Sequence, residues 1–443
     1  MRQSGRTTRT ALAMVTVLLA GVALSGCDAE PAQEVTILGS WTGDEQTEFE
    51  GVLKEFEKTH HIKTRYEGHR DVSQVLQVGI ERGRPPDVAV LPRVNDLQRY
   101  VNAGRLVPLS DVLGADATPQ LVELARRIEP DGRPDGGRVA YGVAVATNLK
   151  SVVWYNRAEL TRFGPQPPRT WEEMLAQTRR TIDGQQVRWC LAMSSPPVSG
   201  WPGTDWVEDI LLHRSGREVY ERWTRGDLSW TSEEFRGAWT TWHDLLAASS
   251  PGTDRASLYT TFEMAAKGLF PGEARADGQP TESSAARGCH LDHQGSFAIR
   301  EYWKQLAKLP GPDQGAPPPF SFFPTPPPAD QPTTSSLQEV SDDVAAMFRD
   351  TGPARQLMNY LAGEPAQKAR REQAAEVAFS RRATPPEEYQ NPVPRAVAQR
   401  LRTGTLCWDG SAPTRSAVSR RGDVPARDTG PSGRWAVNSA NSA

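Results

Sequence analysis

Between residues 34 and 103 the spacing of hydrophobic positions alternates between that of a strand and that of a helix. Residues 34–40, EVTILGS, have a strand pattern, and the next segment places Phe49, Val52, Leu53 and Phe56 on one helical face. The alternation continues with strand candidates at 62–68 and 85–92 and helical segments at 72–82 and 94–103. Strands that alternate with helices of this length predict βαβ units, a mainly parallel sheet and an α/β fold.

Two later segments have the composition of connections. Residues 137–156 contain two apolar, strand-like runs separated by Thr147 and Asn148, as expected for strands that pass between lobes. Residues 310–332 are too rich in proline for a regular helix, so we expect a second connector there. The pattern of residues 343–363 is helical again. Its apolar positions are Ala354, Leu357, Met358 and Leu361.

The middle of the chain has a mostly helical pattern. Thr170 can cap a helix that begins at Trp171, and Glu173 can complete a capping box. Residues 204–246 follow, with apolar helical faces that hold Trp206, Ile210, Leu211, Phe235, Trp239 and Trp242. By contrast, residues 409–443 lack Leu and Ile and are rich in Arg, Ser, Pro and Gly, so we expect a disordered or loosely docked tail.

The first 26 residues predict a secretory signal peptide. Three arginines precede a short apolar run at residues 11–24, which is too short to span a membrane. Leu24-Ser25-Gly26-Cys27 resembles a bacterial lipobox, which makes Cys27 the lipidated first residue of the mature protein. The alternative is an ordinary signal peptide with an incidental cysteine. No later run reaches about 18 apolar residues, so we expect a soluble, tethered remainder.

Charge and cysteine content narrow the partners and the compartment. A net charge of −3 and a pI near 6.2 provide no basic field for a phosphate backbone, so nucleic acid is not expected. Thirteen tryptophans are many, and we expect some to line a binding surface. In an oxidising compartment the strand-like surroundings of Cys190 and Cys289 favour a disulfide between them, which leaves Cys407 free.

One loop before a helix carries candidate ligand-binding chemistry. Residues 200–212 present Trp201 and Asp205, an indole face and a carboxylate that together suit a neutral polyhydroxylated ligand. The alternative makes Asp205 a plain helix N-cap. Asp205, Glu208 and Asp209 also raise a glycosidase hypothesis, but one helix places Asp205 and Glu208 side by side, whereas that chemistry needs carboxylates across a cleft.

A metal site is a weaker hypothesis for CHLDHQGSF, residues 289–297. Cys, His and Asp occur close together there, but strand alternation places Cys289 and His293 on one face and His290 and Asp292 on the other. We therefore expect a strand leading into a Gly-Ser turn, with no metal and no cofactor. Catalytic and nucleotide-binding signatures such as G-x-S-x-G, H-E-x-x-H and the Walker loop do not occur, which lowers the odds of an enzyme.

Taken together, the segments between about residues 34 and 389 resemble a known family. They include EVTILGSWTGDEQTEFEGVLKEFEKTH, PPDVAVLP, YGVAVATNLKSVVWYNRAEL, TWEEML, GWPGTDWVEDILL, CHLDHQGSF and FFPTPPP. In this order they resemble family 1 extracellular solute-binding lipoproteins of carbohydrate ABC transporters, of the maltose and α-glucoside type. The tail after Leu406 departs from the acidic, Asp-Pro-containing end that is usual in this family.

The resemblance implies a type II periplasmic-binding-protein fold with two interleaved α/β lobes, a hinge and a central ligand cleft. Lobe one would contain residues 27–147 and 326–378, and lobe two residues 148–325 and 379–443. The crossing segments expected from composition fall where this family needs its hinges. The implied ligand-binding residues are Trp41, Asp44, Tyr155, Asn156, Trp201, Asp205, Gly295 and Ser296. Trp154 could either contact ligand or pack in the hinge.

The function implied by the resemblance is that of a non-enzymatic receptor. A monomer anchored outside the cytoplasm by lipid on Cys27 would capture a sugar or oligosaccharide and present it to ABC permease subunits. The alternatives are a secreted carbohydrate-active hydrolase and a binding protein associated with a sensor or adhesion system.

Overall fold

The computed structural model describes residues 33–114, 120–128, 134–163, 166–182, 185–249, 256–270, 288–308, 318–381 and 384–409. The signal peptide, Cys27 and the tail after residue 409 lie outside these ranges, so the predictions made for them stay predictions.

The described strands and helices alternate along much of the chain. The strands are β1 (Glu34–Gly39), β2 (Lys63–Gly68), β3 (Val88–Leu91), β4 (Leu121–Ile128), β5 (Pro134–Leu149), β6 (Val152–Asn156), β7 (Thr181–Ile182), β8 (Gln185–Gln186), β9 (Leu291–His293), β10 (Phe320–Pro324), β11 (Leu337–Met347) and β12 (Thr405–Trp408). The helices are α1 (Asp44–His60), α2 (Val72–Glu81), α3 (Val94–Asn102), α4 (Arg157–Phe163), α5 (Trp171–Thr178), α6 (Trp201–Thr224), α7 (Glu233–Ala248), α8 (Phe262–Leu269), α9 (Ile299–Leu306), α10 (Gly352–Ala362), α11 (Glu364–Gln373) and α12 (Pro392–Thr403).

The larger sheet has the order β2-β1-β3-β11-β5-β4, and β12 also pairs with β11. Its first three strands are parallel, as the alternating pattern predicts. The expectation of a mainly parallel sheet is nevertheless wrong, because β11 enters antiparallel to β3 and β5, and β4 is antiparallel to β5. The prediction of a helix over residues 343–363 is wrong at its start, because residues 343–347 pair in the sheet as the end of β11, which is buried throughout.

A second, antiparallel sheet has the order β10-β6-β9. We call the part of the chain packed on the larger sheet lobe one, and the part packed around this smaller sheet lobe two. β5 and β11 contribute to both cores, since Leu149 and Val340 pack in lobe two, whereas Val143 and Ala345 pack in lobe one. They are therefore the crossing strands, and the residue boundaries predicted for the lobes stay a prediction.

The polar pair Thr147 and Asn148 does not interrupt β5, contrary to the sequence pattern. The Thr147 hydroxyl donates to Asp342 at 2.7 Å, and the Asn148 amide donates to Asp343 at 3.4 Å, so polar partners on β11 satisfy both side chains. The break falls instead at Lys150 and Ser151.

Lobe two contains the predicted helices and a disulfide. Thr170 caps α5 by accepting from the Glu173 backbone NH, while the Glu173 carboxylate accepts from the Arg169 NH. Cys190 and Cys289 form a disulfide, and Cys407 is a buried free thiol. Trp239 does not pack as its helical position predicts, because its side chain is 41% exposed. None of the described helices is both long and apolar enough to cross a membrane.

Candidate functional site

A narrow pocket lies between the lobes, beside the crossing strands. Its walls come from the segment after β1, from α1, from both crossing strands, from α9 with the turn before it, and from α11 with the segment after it. The lining residues are Trp41, Glu45, Glu48, Asn148, Phe297, Arg300, Asp343, Arg370 and Val377.

Trp41 forms an aromatic wall of this pocket. It follows β1 at the carboxyl edge of the parallel strands, where ligands collect in α/β folds. Its ring packs edge-on against Phe49, with 4.9 Å between centroids, and its carbonyl accepts from the Tyr66 hydroxyl at 3.0 Å. The Arg370 guanidinium carbon lies 5.3 Å from the ring centre. These contacts fix the indole plane, with the side chain only 7% exposed.

Arg300 joins the two lobes across the pocket. Its Nε donates to Glu48 Oε1 at 3.0 Å, a second guanidinium nitrogen donates to Glu48 Oε2, and Nη1 reaches Glu45 Oε1 at 3.5 Å. One turn later, Lys304 Nζ lies 2.8 Å from Asp44 Oδ2. The hydrogen bond and the charge of Lys304 lower the pKa of Asp44. The predicted site residue Asp44 is thus half of an ion pair between lobes at the pocket's rim.

Asp343 places a carboxylate on the pocket floor. It lies on β11 beside Asn148 of β5, with Arg370 as the neighbouring cation. Burial raises the pKa of Asp343 to about 7, although the Arg370 charge acts in the opposite direction. Arg370 Nε is itself buried and has no hydrogen-bond partner among the residues that the structure describes. The pocket floor therefore combines the Asp343 carboxylate, which can hold a proton, with Arg370 Nε, which donates no hydrogen bond to the described residues.

Four of the other predicted residues lie around Phe297, next to the pocket. The Trp201 ring packs against Phe297, with 5.7 Å between centroids, and Lys150 Nζ lies 5.6 Å from the Trp201 ring centre. Asp205 is the ion-pair partner of Lys150. Gly295 permits close approach, because a Cβ there would lie 2.5 Å from the Phe297 ring. Ser296 Oγ accepts from the Leu149 backbone NH at 3.1 Å, which ties this turn to β5.

The structure places Tyr155 and Asn156 away from the pocket. Tyr155 packs in the lobe-two core and stacks on Phe323, with 5.9 Å between centroids. The Asn156 side chain accepts from the Ala158 NH at the start of α4. Trp154 is fully buried and donates from Nε1 to the Gln294 carbonyl, so it packs in the core. None of these three belongs to the pocket lining, and ligand binding by Tyr155 and Asn156 stays a prediction.

Two of the three candidate catalytic carboxylates on α6, Asp205 and Asp209, have structural partners. Besides the Lys150–Asp205 ion pair, Asp209 accepts from Ser151 and lies 2.9 Å from His293 Nε2. Burial raises the Asp209 pKa, but the charges and hydrogen bonds of His213 and His293 outweigh it and hold the pKa well below the usual range. Asp205, Glu208 and Asp209 all lie on α6 and do not face one another across a cleft, as the spacing of Asp205 and Glu208 predicts.

The CHLDHQGSF segment has similar structural roles. Cys289 is in the disulfide, Asp292 accepts from the Tyr302 hydroxyl at 2.9 Å, and His293 contacts Asp209. Its residues are thus split between two sides of a short strand, and they do not converge on one point.

Sequence reasoning missed most of the charged pocket lining. Arg300 and Arg370 lie on helices with ordinary amphipathic patterns, and no motif marks them. A signal did exist for Asp343, since it interrupts the otherwise apolar run VSDDVAAMF.

Comparisons with known proteins agree with this architecture. The sequence profile of the family described as "Bacterial extracellular solute-binding protein" matches residues 40–368. The osmoprotective compounds-binding protein GgtB of Synechocystis sp. is 31% identical over 361 residues, which cover 79% of this chain and 78% of that protein. The alpha-glucosides-binding periplasmic protein AglE of Rhizobium meliloti is 28% identical over 337 residues, covering 74% and 68%.

Solved structures share the fold at low sequence identity. The bacterial solute receptor AcbH superposes with a TM-score of 0.62 at 15% identity, covering 86% of this chain and 90% of the other. The maltose/maltodextrin-binding domain MalE from Bdellovibrio bacteriovorus gives a TM-score of 0.56 at 15% identity, covering 86% and 89%. These proteins are named as binding proteins or receptors, not as enzymes. The profile match over most of its length, the two-lobed fold and the pocket between the lobes show that this chain belongs to the bacterial extracellular solute-binding protein family.

Proposed function

We propose that this protein is the lipid-anchored binding component of an ABC importer. It captures a sugar or oligosaccharide between its lobes and delivers the ligand unchanged to the permease. Cys27 carries the lipid, and residues 28–33 form the tether to β1.

The observation that carries the sugar assignment is the composition of the pocket between the lobes. Trp41 and Phe297 both line this pocket, and aromatic rings are suited to packing against the C–H side of a pyranose ring. Around them, carboxylates and guanidiniums can accept from and donate to hydroxyl groups through charge-assisted hydrogen bonds. The names of AglE, an alpha-glucosides-binding protein, and of the MalE domain bound to maltotriose support the same ligand class.

The position of the pocket supports a delivery mechanism based on closure of the lobes. A ligand that contacts Trp41 in lobe one and Phe297 in lobe two touches both only when the lobes are together. Its binding free energy therefore favours the closed state, and the permease needs to recognise only closure. This mechanism requires no chemical step and no cofactor.

A thermal-shift screen of the purified protein tests the ligand class. Mono- and disaccharides that bind the folded state must raise the unfolding midpoint in proportion to the logarithm of their concentration at saturation. A panel of amino acids, short peptides and polyamines serves as the comparison. A shift with these compounds and none with any sugar would contradict the carbohydrate assignment.

A Trp41→Leu variant tests the site. Leucine keeps apolar volume against Phe49 but removes the flat ring, so the variant should fold and lose the sugar-induced shift. Trp239→Leu is the matched control, because that indole is 41% exposed on α7, outside the pocket lining. An undiminished sugar shift in Trp41→Leu would remove Trp41 from the binding site.

A further inference from the structure

A buried acidic cluster lies behind the pocket, where the crossing strand β11, the helix α6 and the C-terminal strand meet. Glu208 on α6, Glu339 on β11 and Asp409 directly after β12 each place one carboxylate oxygen within 4.8 Å of the others. Asp409 is held there by its backbone NH, which donates to the Val340 carbonyl at 2.7 Å. None of these residues belongs to the pocket lining described above.

The Glu208 and Asp409 carboxyl groups form a hydrogen bond with each other, but three carboxylate oxygens of this cluster have no partner within the described part of the chain. Glu339 is fully buried, and neither of its oxygens has a hydrogen-bond partner within the described part of the chain. The same holds for Oε2 of Glu208, a residue that is only 9% exposed. An unpaired carboxylate in a protein interior is strongly unfavourable, so these oxygens call for a cation or a proton.

A residue outside the cluster points to the same place. Tyr220 is fully buried, and its hydroxyl also has no partner among the residues that the structure describes. The charges of Glu339, Asp409 and Glu208 act on this hydroxyl, so it lies close to the cluster. Tyr220 therefore adds a second kind of unpartnered, buried oxygen near the three carboxylates.

The nearby ammonium of Lys150 does not neutralise this region. Its charge interacts with Asp205, Asp409 and Glu339, and its hydrogen bond goes to Asp205. One ammonium faces four carboxylates when Glu208 is included, so a divalent cation would remove most of the remaining negative charge. Asp409 is only half-buried, and the cluster therefore reaches solvent at this residue.

We propose that Glu208, Glu339 and Asp409 form a calcium site that joins the C-terminal strand to the hinge. An all-oxygen donor set with two-oxygen carboxylates suits Ca²⁺, which takes six to eight oxygen ligands in flexible geometry. Binding there would tie β12 and α6 to the crossing strand β11. This site is independent of the solute that the pocket takes.

Calorimetric titration of CaCl₂ into the full-length protein, after treatment with a chelator, tests the proposal. We expect one ion per chain, with a Kd on the order of 10⁻⁴ to 10⁻³ M, as in extracellular calcium modules. The absence of binding heat at millimolar Ca²⁺ would overturn the site and leave protons as the occupants of the cluster.

A Glu339→Gln variant sharpens the test because its expected effects on heat stability differ in sign without and with Ca²⁺. Without Ca²⁺ the variant should be at least as heat-stable as the wild type, since one of several like charges is removed. With Ca²⁺ it should lose the calcium-induced rise of the unfolding midpoint and bind at least about tenfold more weakly. Glu387→Gln, at an exposed carboxylate, is the control and should bind like the wild type. Equal binding by both variants would overturn the assignment, and if Glu339→Gln fails to fold, the wild-type titration still decides.

Discussion

Replacing Arg300 by Met should release the contact that closes the lobes. The guanidinium makes two hydrogen bonds to Glu48 and a longer one to Glu45, and its side chain is only 14% exposed. Met keeps most of the apolar stem and removes the charge and the donors. The variant therefore tests the ion pair with little change in packing.

The expected free-energy cost of losing the Arg300 ion pair lies between the values for surface pairs and for fully buried pairs. Exposed ion pairs contribute about 0.2–1 kcal/mol, and removal of one partner from a buried pair costs about 3–5 kcal/mol. Glu48 and Glu45 are 25% and 21% exposed, so they regain water as the lobes separate. A loss of about 1.5–3 kcal/mol, as for hydrogen bonds to charged groups, is the appropriate range. It corresponds to a shift of roughly 10- to 150-fold toward the open state.

Small-angle X-ray scattering of the ligand-free protein measures this shift as an increase in the radius of gyration. Sugar affinity should fall in parallel, because the ligand must then supply the lost part of the closure free energy. Arg355→Met is the matched control, since Arg355 makes two hydrogen bonds to Asp350 at 2.5 and 2.7 Å within lobe one alone. If Arg300→Met leaves the radius of gyration and the affinity unchanged, the Arg300 contact does not hold the lobes together.

Two further predictions concern stability. The pKa of Asp343 is about 7 in the fold and 3.8 as its ordinary value, so between these pH values the native state binds a proton that the unfolded chain has lost. As the pH rises through that window, the contribution of Asp343 to the unfolding free energy falls by about 1.4 kcal/mol per pH unit. Asp343→Asn should therefore flatten the measured profile of stability against pH. Parallel profiles for the variant and the wild type would refute the buried proton. The Cys190–Cys289 disulfide closes a loop with a sequence separation of 99, so the double Ala variant should lose about 2–5 kcal/mol in denaturant titrations, with no loss arguing against the bond.

Local sequence patterns predicted correctly the features that depend on residues close together in the chain. The apolar face of α1 is buried at all four predicted positions, and β3 is buried along its whole length. These predictions succeed because the period of apolar residues decides which face a helix or strand buries. The cap of α5 by Thr170 is another local property that the sequence states directly.

The errors concern pairing between distant segments. β11 has a run of apolar residues that fits a helix or a buried strand equally well, and only its pairing with β3 and β5 settles the matter. Thr147 and Asn148 look like a break until Asp342 and Asp343 are placed beside them, 195 residues away in the chain. Propensity cannot anticipate a partner at that distance.

The candidate site shows the same division. Trp41 lines the pocket, as expected for a residue at the end of a parallel strand, whereas Tyr155 and Asn156 belong to an antiparallel sheet outside the lining. Their roles in ligand binding stay predictions. Arg300 acquires its role only when α9 is set against α1 across the cleft.

The contact that closes the lobes and the ligand pocket use the same side chains, and this has a consequence for affinity. Glu45, Glu48 and Arg300 line the pocket and also bind one another across it. A ligand hydroxyl that accepts from Arg300 or donates to Glu48 must displace part of an existing charge-assisted hydrogen bond, so its net gain is the difference between the two. Ligands that bind without breaking this ion pair keep its contribution to the closure free energy in full. Selectivity among solutes should therefore depend more on contact with the aromatic faces and with the Asp343–Arg370 floor than on the number of hydrogen bonds to the bridging arginine.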